Sequence, residues 1–76
     1  MAKKITINNN IRKLRFFANE MTQQELAEKA GVSRQTIIAV EAGKYSPSLE
    51  LAFRIALAFN EPIGEVFSCE ALESEK

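Results

Sequence analysis

The sequence contains no histidine, no aspartate and no tryptophan, and its one cysteine is Cys69. These absences remove most of the chemistry of enzyme sites. A zinc site needs about four nitrogen or sulfur ligands, and one cysteine without histidine does not supply them. No metal is therefore expected. Cys69 has no partner within the chain, so a disulfide-stapled secreted scaffold is excluded and the thiol is expected to be inert. No serine or cysteine stands at a spacing that pairs it with a lysine or glutamate base. The three glycines, Gly31, Gly43 and Gly64, are scattered and form no phosphate-cradling loop. The chain is expected to be no enzyme, with no cofactor and no small-molecule ligand. Long apolar runs are missing as well. None approaches the roughly 20 residues of a membrane span, and no signal-peptide core is present. The expectation is a cytoplasmic protein away from the membrane.

What is present is an ordinary globular composition, 46% apolar and 26% charged, in 76 residues. That length holds one domain, residues 1–76, with a core expected over 10–68. So short a chain buries a modest share of its surface, and dimerisation would add to its stability. Ten cations balance ten anions. The zero hides a polarity. Residues 1–44 carry Lys3, Lys4, Arg12, Lys13, Arg15, Lys29, Arg34 and Lys44 against four glutamates. Residues 45–76 carry Arg54 and Lys76 against six. The first half suits a polyanion; the second suits solvent or protein.

Apolar periodicity predicts five helices. Residues 3–7 alternate at Ile5 and Ile7 and read as a short strand or a basic arm. Asn8, Asn9 and Asn10 then offer acceptors for a helix start. Ile11, Leu14, Phe17, Ala18 and Met21 make the stripe of a first helix over 10–19. Thr22 and Glu25 form a capping box for a second helix over 22–30, which Gly31 closes. Ser33 caps a third helix over 33–42, with Ile37 and Val40 inward. After the turn formers of 44–48 comes a fourth helix, with Leu49, Ala52, Phe53, Ala56 and Phe59 or Ile55 as its apolar stripe. Asn60-Glu61-Pro62 ends it, and Ile63, Val66 and Phe67 mark a short fifth helix over 63–67. An extended acidic tail follows.

Two short helices joined by a glycine-containing turn suggest a helix-turn-helix. The run from Met21 through Thr22, Gln23, Gln24, Glu25, Leu26, Ala27, Gly31, Val32, Ser33, Arg34, Gln35, Thr36 and Ile37, followed by Glu41, Gly43, Lys44 and Pro47, resembles the XRE family. These are λ-repressor- and Cro-like regulators, and the resemblance spans residues 11–67. It implies an all-α, five-helix, λ-repressor-like DNA-binding domain. The stretch from Tyr45 to Ala52 is similar to small stand-alone members of the family, several of them dimeric repressors. Ala27 fits a close crossing of the second and third helices, and Gly31 fits a left-handed turn.

The third helix would then be the recognition helix, whose N-terminal residues enter the major groove in this motif. Ser33, Arg34, Gln35 and Thr36 are the candidate base-contacting residues. Arginine can bond guanine O6 and N7 in a fork, glutamine can bond adenine N6 and N7, and threonine offers a methyl to thymine. Ala39, one turn on, cannot hydrogen-bond a base edge. Candidate phosphate contacts are Gln23 and Gln24, at a helix N-terminus that favours anions, with Lys44, Tyr45 and Ser46 in the loop after the recognition helix. Arg12 and Lys13 on the first helix are open to either the DNA backbone or a solvated face. The family resemblance further implies a structural ion pair between Arg15 and Glu41. The stretch from Arg15 to Met21 is one residue longer than the common family pattern.

One recognition helix reads about four or five base pairs, too few for specificity in a genome. Two domains on a palindrome resolve this, with half-sites roughly 34 Å apart. Phe59, Ile63, Val66 and Phe67 are the candidate dimer interface, with Ile5 to Ile7 as a further contributor. The expectation is thus a homodimeric repressor of double-stranded DNA. The alternative is an antitoxin-like or partner-binding module on the same fold.

Overall fold

The computed structural model describes residues 5–71; Lys3, Lys4 and the acidic stretch from Leu72 onward lie outside the described residues. The elements run β1 (Ile5–Asn9), α1 (Ile11–Phe17), α2 (Gln23–Ala30), α3 (Arg34–Glu41), α4 (Leu49–Phe59), α5 (Ile63–Val66) and β2 (Phe67–Ala71). Five helices make the body of the domain. The two strands pair antiparallel, with Ile7 opposite Cys69 and Asn9 opposite Phe67.

The helix starts follow local chemistry. The Thr22 hydroxyl accepts from the Glu25 N–H at 3.0 Å, and the Glu25 carboxylate accepts from the Thr22 N–H at 2.9 Å. Ser33 Oγ accepts from the Thr36 N–H at 3.2 Å and Ser48 Oγ from the Leu51 N–H at 3.1 Å. Each such cap stabilises its helix by about 1 kcal/mol. Gly31 ends α2 at φ +76°, and Asn60 ends α4 at φ +58°. The space at Gly31 adds little to this requirement: a Cβ there would lie 3.1 Å from the Arg54 guanidinium, the end of an exposed side chain that can shift.

The core joins all five helices. Ile11, Leu26, Ile37, Val40, Ile55 and Val66 are fully buried, with Met21, Ala27, Ala30, Leu51 and Ala56 filling around them. The small Ala27 and Ala30 let α2 lie close to its neighbours, as core packing without voids requires.

Four expectations change. The tail after α5 begins as a strand, because β1 offers it a ladder of N–H and C=O groups. The first strand is shifted to Ile5–Asn9, so Asn8 and Asn9 join the sheet; of the three asparagines it is Asn9 whose side-chain oxygen accepts from the helix start, at the Ile11 N–H, while Asn10 stands at the N-cap without a side-chain cap bond. Helix α1 stops at Phe17, short of Asn19, because Asn19 and Glu20 take left-handed backbone at φ +62° and +56°. This reversal leaves Phe17 exposed, in an edge-to-face pair with Phe16. Finally, α4 is rotated relative to the expected stripe. Leu51, Ala52, Ile55 and Ala56 face the core, while Leu49 and Phe53 lie outside, 71% and 48% exposed.

Candidate nucleic-acid interface

The third helix presents its N-terminal turn to solvent. Ser33, Arg34 and Gln35 are exposed and Thr36 is half-buried. Their side chains are not equivalent. Ser33 Oγ and Thr36 Oγ1 bond each other at 3.0 Å while Ser33 also caps the helix. Arg34 and Gln35 make no side-chain hydrogen bond among the described residues, so their donors and acceptors are open to a ligand.

Beside this turn lies an open polar groove. Arg12 from α1, Gln23 and Gln24 from α2, and Arg34 from α3 line it, with Thr22, Glu20, Met21, Arg15 and Glu41. The groove gathers the N-terminal turns of two helices and three arginines, Arg12, Arg15 and Arg34, into one concavity. Gln24 donates to Glu28 Oε2 at 3.1 Å along its own helix, whereas Gln23 is half-buried in the lining of the groove. Thr22, Gln23 and Gln24 bring the start of α2 to this groove, and the dipole of a helix favours an anion in front of its first N–H groups. Glu20 brings one carboxylate to the same rim.

Arg15 and Glu41 form the frame of this groove. Arg15 Nε donates to Glu41 Oε1 at 3.1 Å and Nη2 donates to Oε2 at 2.8 Å, a two-pronged pair. The side chains are 17% and 14% exposed. The remaining guanidinium nitrogen, Nη1, donates to the Met21 carbonyl at 3.0 Å. One arginine thereby joins the end of α3 to the residue that precedes the cap of α2. The longer stretch between Arg15 and Met21 does not displace this contact. The two left-handed residues fold the additional length back, and the Met21 N–H returns to the Arg15 carbonyl at 2.9 Å.

Lys44, Tyr45 and Ser46 follow α3 and are all exposed. Gly43 at φ +78° turns the chain, and the Lys44 N–H closes on the Ala39 carbonyl at 2.9 Å. Tyr45 also borders a shallow groove with Thr36, Gly31 and Arg54. Among the described residues no group of three or more acidic or cysteine side chains could hold a metal ion. No helix of the described residues is long and apolar enough to cross a membrane.

The helix-turn-helix model HTH_3 matches residues 11–66, from the first core residue to the end of α5. The chain belongs to the HTH_3 family of helix-turn-helix proteins. Its relatives bear regulatory names. The chain is 53% identical over 60 residues to an uncharacterised HTH-type transcriptional regulator, MJ0272, of Methanocaldococcus jannaschii, covering 76% of this chain and 91% of that one. It is 62% identical over 48 residues to another such regulator of Methanothermobacter thermautotrophicus, covering 62% and 70%. It is 36% identical over 61 residues to the cryptic phage CTXphi transcriptional repressor RstR of Vibrio cholerae, covering 80% of this chain and 54% of that one.

This HTH_3 protein is therefore a DNA-binding transcriptional regulator of the XRE type, a family that is typically non-enzymatic. Within it the structure brings Gln23, Gln24, Arg34, Arg15 and Glu41 around one groove and sets Lys44, Tyr45 and Ser46 at the far end of α3. The four residues expected at a dimer interface fare differently. Val66 has no exposed surface, because it completes the core of its own chain. Phe59, Ile63 and Phe67 pack against that core and are only partly exposed. Arg12, which the sequence left open between the DNA backbone and a solvated face, lines the groove. One feature escaped the sequence: Asn9, one of three adjacent asparagines, reaches the end of α3.

Proposed function

We propose that this regulator is a homodimeric repressor that reads a palindromic operator through the major groove. In this reading Arg34 and Gln35 carry direct base readout. Their open hydrogen-bonding groups at the exposed start of α3 are the observation that supports it most. Ser33 and Thr36 act more weakly, since their hydroxyls already serve each other; Thr36 keeps its methyl for a thymine. Gln23 and the α2 N-terminus hold one phosphate, with Arg12 and Gln24 beside it. Lys44, Tyr45 and Ser46 hold the backbone on the other flank. Arg15 and Glu41 fix the angle between the helices. Repression is steric, by occupation of the promoter, in keeping with the name of its relative RstR.

The two-fold contact is placed on the outer face of α4. Leu49, Phe53 and Leu57 recur every fourth residue, so they form one ridge along the helix, and they are 71%, 48% and 76% exposed. A second copy of the same ridge is the occupant that satisfies both observations. It covers the apolar surface, and it supplies the second half-site that a recognition helix of eight residues needs for specificity.

Selection of bound sequences from random duplex DNA tests the function. A palindromic consensus with half-sites about one helical turn apart is expected. Enrichment of no sequence, even at low salt, would overturn it.

A further inference from the structure

We infer that Asn9 is a positioning residue for the recognition helix, clamping the last carbonyls of α3 to the β1–β2 ribbon. The inference rests on the proposed major-groove reading only for its consequence on DNA. The clamp itself is a matter of bonds. Asn9 Nδ2 donates to the Val40 carbonyl at 3.2 Å and lies 3.4 Å from the Glu41 carbonyl. Its Oδ1 accepts the Ile11 N–H at 3.1 Å. Only this orientation of the amide is satisfied, since the opposite one would set oxygen against two carbonyls and nitrogen against an N–H.

The last carbonyls of a helix have no partner within it. In α3 most are closed locally. The Ala42, Gly43 and Lys44 N–H groups return to Ile38, Val40 and Ala39. For Glu41, the Asn9 amide is the protein donor found among the described residues. Glu41 is thus held twice, its carboxylate by Arg15 of α1 and its carbonyl by Asn9 of β1. Two grips on one residue, from two elements, restrict both tilt and rotation of the short helix.

The position of Asn9 is in turn set by the ribbon, where it stands opposite Phe67. Correct pairing of β1 with β2 is therefore part of how α3 is presented. The adjacent residue supplies an internal comparison. Asn10 makes similar bonds, from Nδ2 to the Glu65 carbonyl at 3.0 Å and from its N–H to the Val66 carbonyl at 2.9 Å. These reach α5 and not α3.

The test uses the full chain in three variants. Asn9→Asp keeps the acceptor for Ile11 and loses the donor; Asn9→Ala loses both; Asn10→Ala removes the side-chain bond to the Glu65 carbonyl and keeps the backbone bond to Val66. Amide hydrogen exchange is followed by NMR. In both Asn9 variants exchange at residues 40–44 should accelerate by about fivefold to tenfold, the scale of one lost hydrogen bond. Asn10→Ala should leave it unchanged there. The second readout is the ratio of dissociation constants for random duplex and for the selected operator. It should fall by roughly fivefold in the Asn9 variants, the scale of a positioning residue that touches no ligand. Affinity for random duplex and its salt dependence should stay the same, because the phosphate-facing residues are intact. The inference is overturned if the Asn9 variants match the parent chain in both readouts. It is also overturned if Asn10→Ala, at an equal loss of thermal midpoint, lowers the ratio as much. Should Asn9→Ala fail to fold, Asn9→Asp carries the comparison. Should the parent chain select no operator, the DNA reading fails by itself, and exchange at 40–44 alone decides the clamp.

Discussion

At the scale of single residues, availability separates four neighbours, of which the sequence already set Ser33 apart as a cap. Ser33 and Thr36 share a hydrogen bond at 3.0 Å, while Arg34 and Gln35 are unengaged among the described residues. Arg34→Ala and Gln35→Ala should each lower affinity for the selected operator by about 1–3 kcal/mol, the worth of one good bidentate base contact. Ser33→Ala should act mainly on stability, through loss of a cap. Fluorescence anisotropy on operator and scrambled duplexes, paired with thermal melts, distinguishes the two outcomes. Arg15 offers a sharper case. Its pair with Glu41 is shielded enough that removing one partner strands the other, and Arg15→Ala should cost about 1–3 kcal/mol. Arg15→Lys should recover little, since an ammonium cannot bond both carboxylate oxygens and the Met21 carbonyl in the same geometry. Chemical denaturation measures both.

At the scale of elements, what was legible in the sequence was whatever local chemistry decides. The capping box at Thr22 and Glu25, the serine caps at Ser33 and Ser48 and the left-handed Gly31 all lie within a few residues of the features they control. They set α2, α3 and the start of α4 close to where they were expected. What was not legible depends on distant partners. Helix α4 is apolar nearly all round, so its sequence does not say which side the core takes; Ile37, Val40 and Leu26 decide that. The stretch from Phe67 to Ala71 carries no strand signal strong enough to oppose its acidic surroundings, and it becomes a strand because β1 lies beside it. In the candidate site, residue types on α3 were readable, Arg12 was left undecided between groove and solvent, and the reach of Asn9 to α3 was not readable, as it comes from the crossing of elements remote in sequence. Gly31 tests the local rule. Gly31→Ala should destabilise by about 1–2 kcal/mol from its left-handed backbone alone. Thermal midpoints report the loss.

At the scale of the whole molecule, the zero net charge separates by location. Arg12, Arg34 and Lys44 lie along the start and end of α3 and the adjoining groove, while residues 45–76 carry six of the ten glutamates. Lys44→Ala should weaken operator and random duplex alike and reduce the salt slope by about one ion per protomer. Affinity measured across a salt series checks this. The proposed two-fold contact makes a separate prediction. Phe53→Glu should produce monomers in sedimentation and reduce operator affinity more than half-site affinity. Val66→Glu should instead unfold the chain, because Val66 is fully buried.

The ribbon joins segments from nearly opposite ends of the described chain, and this bears on the order of folding. The contacts of α2 with α3 close short loops and should form early, whereas the match of Asn9 with Phe67 closes a far longer loop, at a greater entropic cost, and should follow. The recognition helix can thus exist before it is fully aimed. A brief opening of the ribbon would return the protein to that state, with its helix-turn-helix intact and its discrimination between DNA sequences reduced.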